Sequence, residues 1–128
     1  MDKYIPLIGR VFLALIFIAA GAGKLADGGM GTIPYMESMS VPGFLFWPAA
    51  IFEVVAGLAV LVGYKTKIFA FLLAGFCALS ALLFHMQPAD QIQMALFMKN
   101  FAMAGGFLLL MHHGAGGMSL DAKMAASE

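Results

Sequence analysis

Four runs of mostly apolar residues, at about 5–25, 44–63, 68–86 and 94–112, dominate this chain. Each is close to the roughly 20 residues that an α-helix needs to cross the hydrocarbon of a bilayer. Lipid offers backbone N–H and C=O groups no water, so each run must satisfy its own hydrogen bonds as a helix. The chain is therefore expected to be an all-α, integral membrane, four-helix antiparallel bundle. Composition agrees: 62% of residues are hydrophobic and 11% charged, against about 25% charged in a typical soluble domain. Those charges are too few to coat a water-facing surface, and the lipid bilayer is the expected surroundings. A length of 128 residues allows one domain, read as a four-span unit over 1–113 and a polar tail over 114–128.

The connections set the expected topology. A longer link rich in Gly, Ser and Pro runs over 26–43, a tight turn over 64–67 and a short connection over 87–93. Pro34 and Pro42 suggest that the long link is ordered partly as turns. Four antiparallel crossings bring both termini to one face, with Lys3, Lys65, Lys67 and Lys123. The opposite face carries Asp27, Glu37 and Asp90, with Lys24 at the edge of the first span. By the positive-inside rule both termini are expected to be cytoplasmic, in a multi-pass bacterial inner (plasma) membrane protein. Tyr35 and Trp47 near the outer boundary, with Tyr4 and Tyr64 near the inner one, read as interface anchors. The first span resembles a signal peptide, but Arg10 interrupts its apolar run and further spans follow, so it reads as a retained helix.

Several function classes lack support. Net charge is zero and no basic run is present, so no nucleic-acid partner is expected. The single cysteine, Cys77, can form neither an internal disulfide nor a CxxC pair, and reads as a small packing residue. His85 invites a haem or metal proposal. His112 and His113 lie near the opposite face, however, which argues against two histidines holding one haem. The 11 methionines invite copper, yet Met commonly fills gaps in apolar packing. No metal site is expected. No Ser/His/Asp set, phosphate loop or paired catalytic carboxylates can be assembled. A non-catalytic subunit is the expectation rather than a stand-alone enzyme, with no intrinsic cofactor.

The informative residues are polar ones within the spans. An ionisable group there costs at least about 2.5–3.5 kcal/mol on insertion scales, so its retention usually has a reason. This chain keeps Arg10, Glu53, Lys99 and Asn100 in its spans, with Lys24 and His85 near their outer ends. Arg10 and Lys24 are two heptads apart, nearly on one face, with Ala14, Phe17 and Gly21 between them. Glu53 is flanked by Ala49, Ala50, Ala56 and Gly57, small residues that let another helix approach. Ala70, Ala74, Ala78, Ala81 and His85 share nearly one face of the third span. Lys99, Met103 and Gly106, and Asn100 with Ala104, mark the fourth. These stripes are expected to turn inward, leaving Phe, Leu, Ile and Met to the lipid. Glu53 falls near mid-membrane, and a bridge from Arg10 or Lys99 is the expected arrangement.

Two meanings fit that polar interior. One is a structural ion pair and hydrogen-bond network that fixes helix register. The other counts Arg10, Lys24 and Lys99 against one carboxylate. The remaining positive charge would suit an anionic small molecule, or would hydrogen-bond the carbonyl of a quinone.

The segments "GRVFLALIFIAAGAGKLAD", "YMESMSVPG", "FEVVAGLAVLVGYKTK", "MKNFAMAGGFLLL" and the tail "MSLD" occur here in that order. Together they resemble the DoxX family of small four-span membrane proteins over nearly the whole chain. The resemblance implies a link to membrane redox systems, since the family name comes from a subunit associated with a terminal quinol oxidase. Related proteins are linked to thiosulfate:quinone oxidoreduction, and one to a membrane complex handling oxidative and thiol stress. The family's recurring polar positions correspond to Arg10, Lys24, Glu53, Lys99 and Asn100, with His85 as an addition. The leading expectation is an auxiliary subunit of a quinone-linked or thiol/sulfur redox system, with an oxidoreductase partner and a quinone site. A small transporter assembled as a homo-oligomer and a purely structural membrane protein are the alternatives.

Overall fold

The computed structural model describes residues 3–127, which form helices and turns without a strand. Helix α1 spans Tyr4–Ala26, α3 spans Phe46–Val62, α4 spans Thr66–Phe84 and α5 spans Gln91–His113. These four, with α3 extended by a 3-10 turn at Gly43–Leu45, are long and apolar enough to cross a membrane. Two short helices complete the chain: α2 (Ile33–Ser38) in the long link and α6 (Leu120–Ala126) in the tail. Pro34 in the first turn of α2 lacks only an N–H that would have no partner inside the helix.

The helix ends follow from local chemistry. Asp90 caps α5, its carboxylate accepting from the N–H groups of Ile92 (3.0 Å) and Gln93 (3.2 Å). Gly63 ends α3 in the left-handed region, at φ 74°, and Tyr64 N–H closes the turn on Ala59 C=O at 2.8 Å. At the end of α1, Gly28 and Gly29 adopt positive φ and Asp27 Oδ1 accepts from Gly29 N–H at 2.7 Å. That sharp reversal leads the link back over the bundle.

Small residues determine which helices pack closely. On α1 the buried positions are Arg10, Ala14, Phe17 and Gly21, one stripe at helical spacing. Gly21 lies against α3, where a Cβ would sit 2.7 Å from Val54 Cγ2 and 3.0 Å from Ala50 C=O. Gly57 of α3 returns the contact against Ile18 and Ala14. The close neighbours are thus α1 with α3, and α4 with α5. The two pairs meet in a core containing Ala14, Val60, Leu73 and Phe107. Phe17 joins it with edge-on contacts to Phe107 (5.6 Å) and Phe76 (6.3 Å). Large apolar residues such as Phe12, Ile51, Phe71 and Leu109 face outward, as they must where lipid is the solvent.

Arg10 differs from its expected role. It does not reach Glu53. Its guanidinium donates instead to the C=O groups of Val60 (3.1 Å) and Leu61 (3.0 Å), and to that of Met118 in the tail. The last carbonyls of a helix lack intrahelical donors and carry the negative end of its dipole. A buried cation one helix away therefore finds acceptors there, beside Gly63, without climbing toward mid-membrane. The tail docks on the same corner. Asp121 N–H donates to Gly63 C=O at 2.8 Å. Its carboxylate accepts from the N–H groups of Lys65 (2.7 Å) and Thr66 (2.9 Å), capping α4 from outside. Ser119 caps α6 through Ala122 N–H at 3.1 Å. One cation and one carboxylate thus tie α1, α3, α4 and the tail together at the end of the bundle that carries the termini.

Candidate functional site

Toward the opposite end, the α1/α3 and α4/α5 pairs enclose a cavity of about 470 Å³. This is within the roughly 300–1,000 Å³ of small-molecule sites. Its walls are largely apolar, including Ile16, Phe76, Leu79 and Leu83. Ile16, Leu79 and Leu83 are also exposed on the outside of the bundle, so the cavity opens sideways onto its lipid-facing surface. Below it the core residues Ala14, Val60, Leu73 and Phe107 close the space between the pairs.

Helix α2 forms the lid. Tyr35 and Met36 line the cavity from above, and Met36 is buried on Phe46 and Ala50 in a separate apolar cluster. Tyr35 OH donates to Phe84 C=O at 2.7 Å, and the two rings lie 6.0 Å apart. This bond ties the lid to the last turn of α4, where a free carbonyl is available.

Glu53 sits in the wall with its side chain almost wholly buried, and its partner is Lys24. Lys24 Nζ lies 2.8 Å from Oε2 and 3.1 Å from Oε1. The absence of a side chain at Gly21 allows this bridge, since a Cβ there would meet Glu53 Cβ at 3.1 Å. Lys24 is also near the C-terminal end of α1, where helix carbonyls favour a cation. The expected bridges from Arg10 and Lys99 to Glu53 are both absent.

Lys99 and Asn100 reach the cavity from α5. At 1.5 Å rise per residue they lie about 12–14 Å along α5 from its start, a depth similar to that of Glu53 on α3. Lys99 stands at the accessible edge of the cavity rather than in the core, and makes no ion pair among the described residues. Asn100 is only 8% exposed, yet the side-chain hydrogen bonds of the described residues include none from its carboxamide. Cys77 is buried in the wall between these groups. His85 is nearer the lid, its Nδ1 2.7 Å from Gln93 Oε1, which fits the tautomer carrying hydrogen on Nδ1.

Of the polar residues singled out in the sequence, Lys24, Glu53, His85, Lys99 and Asn100 border one cavity, and Arg10 belongs to the tail clamp. Tyr35, Thr32 and Ser80 also line the cavity, although sequence reasoning gave them no such place. Ser80 stands three residues after Cys77, close in helical phase, a signal that was available. Tyr35 gave none beyond its aromatic character. Among the described residues no three His, Cys, Asp or Glu side chains converge as a metal-holding group, and His112 and His113 are exposed at the other end.

Chemically the cavity combines an apolar wall, one neutralised carboxylate, one unpaired ammonium and one free carboxamide. Lys99 can only donate hydrogen bonds, whereas Asn100 can donate and accept.

No solved structure matches the chain. Among curated proteins it is similar to the inner membrane protein YqjF of Escherichia coli strain K12, 44% identical over 115 residues, covering 90% of this chain and 88% of that one. It is also similar to the inner membrane protein YphA of the same organism, 34% identical over 122 residues, covering 90% of this chain and 86% of that one. The DoxX family model matches residues 5–86, which take in α1 from its second residue, the lidded link, α3 and α4. With four spans and this likeness along most of its length, the chain is an integral membrane protein that belongs to the DoxX family.

Proposed function

We propose that this protein is an auxiliary subunit of a membrane redox system, holding a quinone in the cavity between its helix pairs. The observation that carries this reading is the cavity itself: apolar walls open toward lipid, with Lys99 and Asn100 unpartnered on one side and the Lys24–Glu53 pair on the other. A quinone matches both features, having an apolar body that partitions into lipid and carbonyl oxygens that accept hydrogen bonds. A single cysteine cannot cycle through an internal disulfide, so we assign electron transfer to a partner oxidoreductase. The closed packing beneath the cavity favours binding over permeation.

The proposed location is the bacterial inner membrane, as in the names of its relatives. Both termini are proposed to be cytoplasmic, with Lys3, Lys65, Lys67 and Lys123 on that face and the cavity toward the outer leaflet. The test is to purify the full chain in mild detergent and extract bound quinone for mass spectrometry. Quinone-dependent respiration of membranes is then compared between wild type and Lys99→Ala. Quinone recovered with the wild type, and a lower rate for the variant, is the expected result. A quinone-free preparation, with respiration indifferent to the variant, would remove the reading.

A further inference from the structure

Two neighbouring residues of α5 reach the cavity with different hydrogen-bonding repertoires. Lys99 presents an ammonium with three donors and no acceptor, and among the described residues it makes no ion pair with a carboxylate. Asn100 presents an oxygen that accepts and an NH₂ that donates. A buried carboxamide is expensive to leave without partners, yet Asn100 is only 8% exposed and makes no side-chain bond within the described chain. It lines the cavity, and its polar atoms are not among the fully buried unpartnered ones. This is the condition of a group whose partner arrives from outside.

From this difference we infer that Asn100 holds the ligand's oxygen-bearing head in both redox forms, while Lys99 selects the oxidised one. The inference rests on the quinone reading above. A quinone oxygen accepts, so Lys99 Nζ and the Asn100 NH₂ can both donate to it. In the quinol the same oxygen carries a proton to donate, which the Asn100 carbonyl oxygen can take up. Lys99 has nothing to accept it with. The quinol oxygen also keeps a weaker acceptor lone pair, so Lys99 retains some contact with it but gains less. Glu53 stands on α3, across the cavity from Lys99 and Asn100, with Lys24 bonded to both of its carboxylate oxygens. Lys24 and Glu53 instead hold α1 against α3 and keep the opposite wall in position.

The full chain in detergent, titrated with a decyl-substituted benzoquinone and separately with its hydroquinone, tests this assignment. Quenching of Trp47, the only tryptophan, reports binding, since it stacks edge-on at 5.0 Å against the cavity-lining Phe46. Wild type is expected to bind both forms. Lys99→Met is expected to weaken the quinone about tenfold and leave the quinol within about twofold, the difference of one charge-assisted hydrogen bond. Asn100→Ala is expected to weaken both forms. Lys99 is at the accessible edge, so its variant keeps the fold and carries the test even where Asn100→Ala unfolds. Equal weakening of both forms by Lys99→Met, or no change in either, overturns the assignment while leaving the cavity a quinone site. Wild type that binds neither form overturns the quinone reading and this assignment together.

Discussion

Arg10 and Lys24 each meet acceptors on α3 near their own depth, and charge alone did not choose between those acceptors. Arg10 is one of two candidates for Glu53 on the grounds of reach, but the C=O groups of Val60 and Leu61 at the end of α3 lie nearer its own depth. Lys24 took Glu53 because Gly21 lets the helix carrying Glu53 come close. The stripe Arg10, Ala14, Phe17, Gly21 was legible from spacing, and all four positions are buried. Pairing was not legible, since spacing fixes a face and a depth but leaves the tilt between helices open. Gly21 therefore carries a consequence that Gly23, two residues on, does not. Gly21→Ala places a Cβ 2.7 Å from Val54 Cγ2 and 3.0 Å from backbone oxygen, and is expected to cost about 1–3 kcal/mol, the range for overpacked sites. Gly23→Ala meets nothing within 4 Å and should be neutral or stabilising by up to about 1 kcal/mol through helix propensity. Denaturant-induced unfolding of both variants in the same detergent checks the contrast. Equal effects would mean that the α1–α3 contact is not tight at Gly21.

Among the elements, the four long helices announce themselves by apolar length, and the short ones do not. Helix α2 has six residues, too few for a periodic pattern, and is held by the burial of Met36 and the bond from Tyr35 to Phe84. The tail looked polar and surface-bound in sequence, because the feature that orders it is a pair of backbone N–H groups at the start of α4, which no side-chain pattern reveals. That contact makes the tail sensitive to acid. Burial pushes the Asp121 carboxyl up, but it is outweighed by several pulls together, beginning with Thr66, whose N–H donates and whose hydroxyl lies close without a well-formed bond. The Lys65 N–H and the charge of Arg10 add to the pull, so Asp121 titrates below the usual carboxylate range. A lowered folded value means that the docking free energy is complete above about pH 4, the ordinary aspartate value. It is lost as pH falls through the lower folded value. Hydrogen exchange at Lys65 and Thr66, corrected for its intrinsic pH dependence, should accelerate in that acid window. In Asp121→Asn those amides should already be less protected at neutral pH, without the acid transition. Wild-type protection that stays flat down to pH 2 would mean that the carboxylate does not hold the tail.

At the scale of the whole molecule the two ends have opposite designs. The end with the termini is closed by a buried arginine, a helix cap and a folded-back tail. The other end parts into two helix pairs with a cavity between them and a lid on one hydrogen bond. The number of spans was legible in the sequence, as was the general place of its polar centre, because lipid makes apolar length and buried charge equally conspicuous. The division into pairs was not, because all four helices carry small-residue stripes and their relative closeness depends on side chains meeting across helices. This asymmetry acquires a direction only from the membrane, and the lysine distribution supplies one: Lys3, Lys65, Lys67 and Lys123 gather at the closed end. The topology proposed from that distribution would turn the cavity toward the outer leaflet and the tail toward the cytoplasm. Cysteine labelling tests the direction in a Cys77→Ala background, where added cysteines are the only thiols. Ala89→Cys, exposed at the open end, should react with a membrane-impermeant maleimide added outside intact spheroplasts. Tyr64→Cys, exposed at the closed end, should react only after the membrane is permeabilised. The reverse pattern would turn the molecule over and place the cavity in the inner leaflet, where a ligand would enter from the lipid of that leaflet.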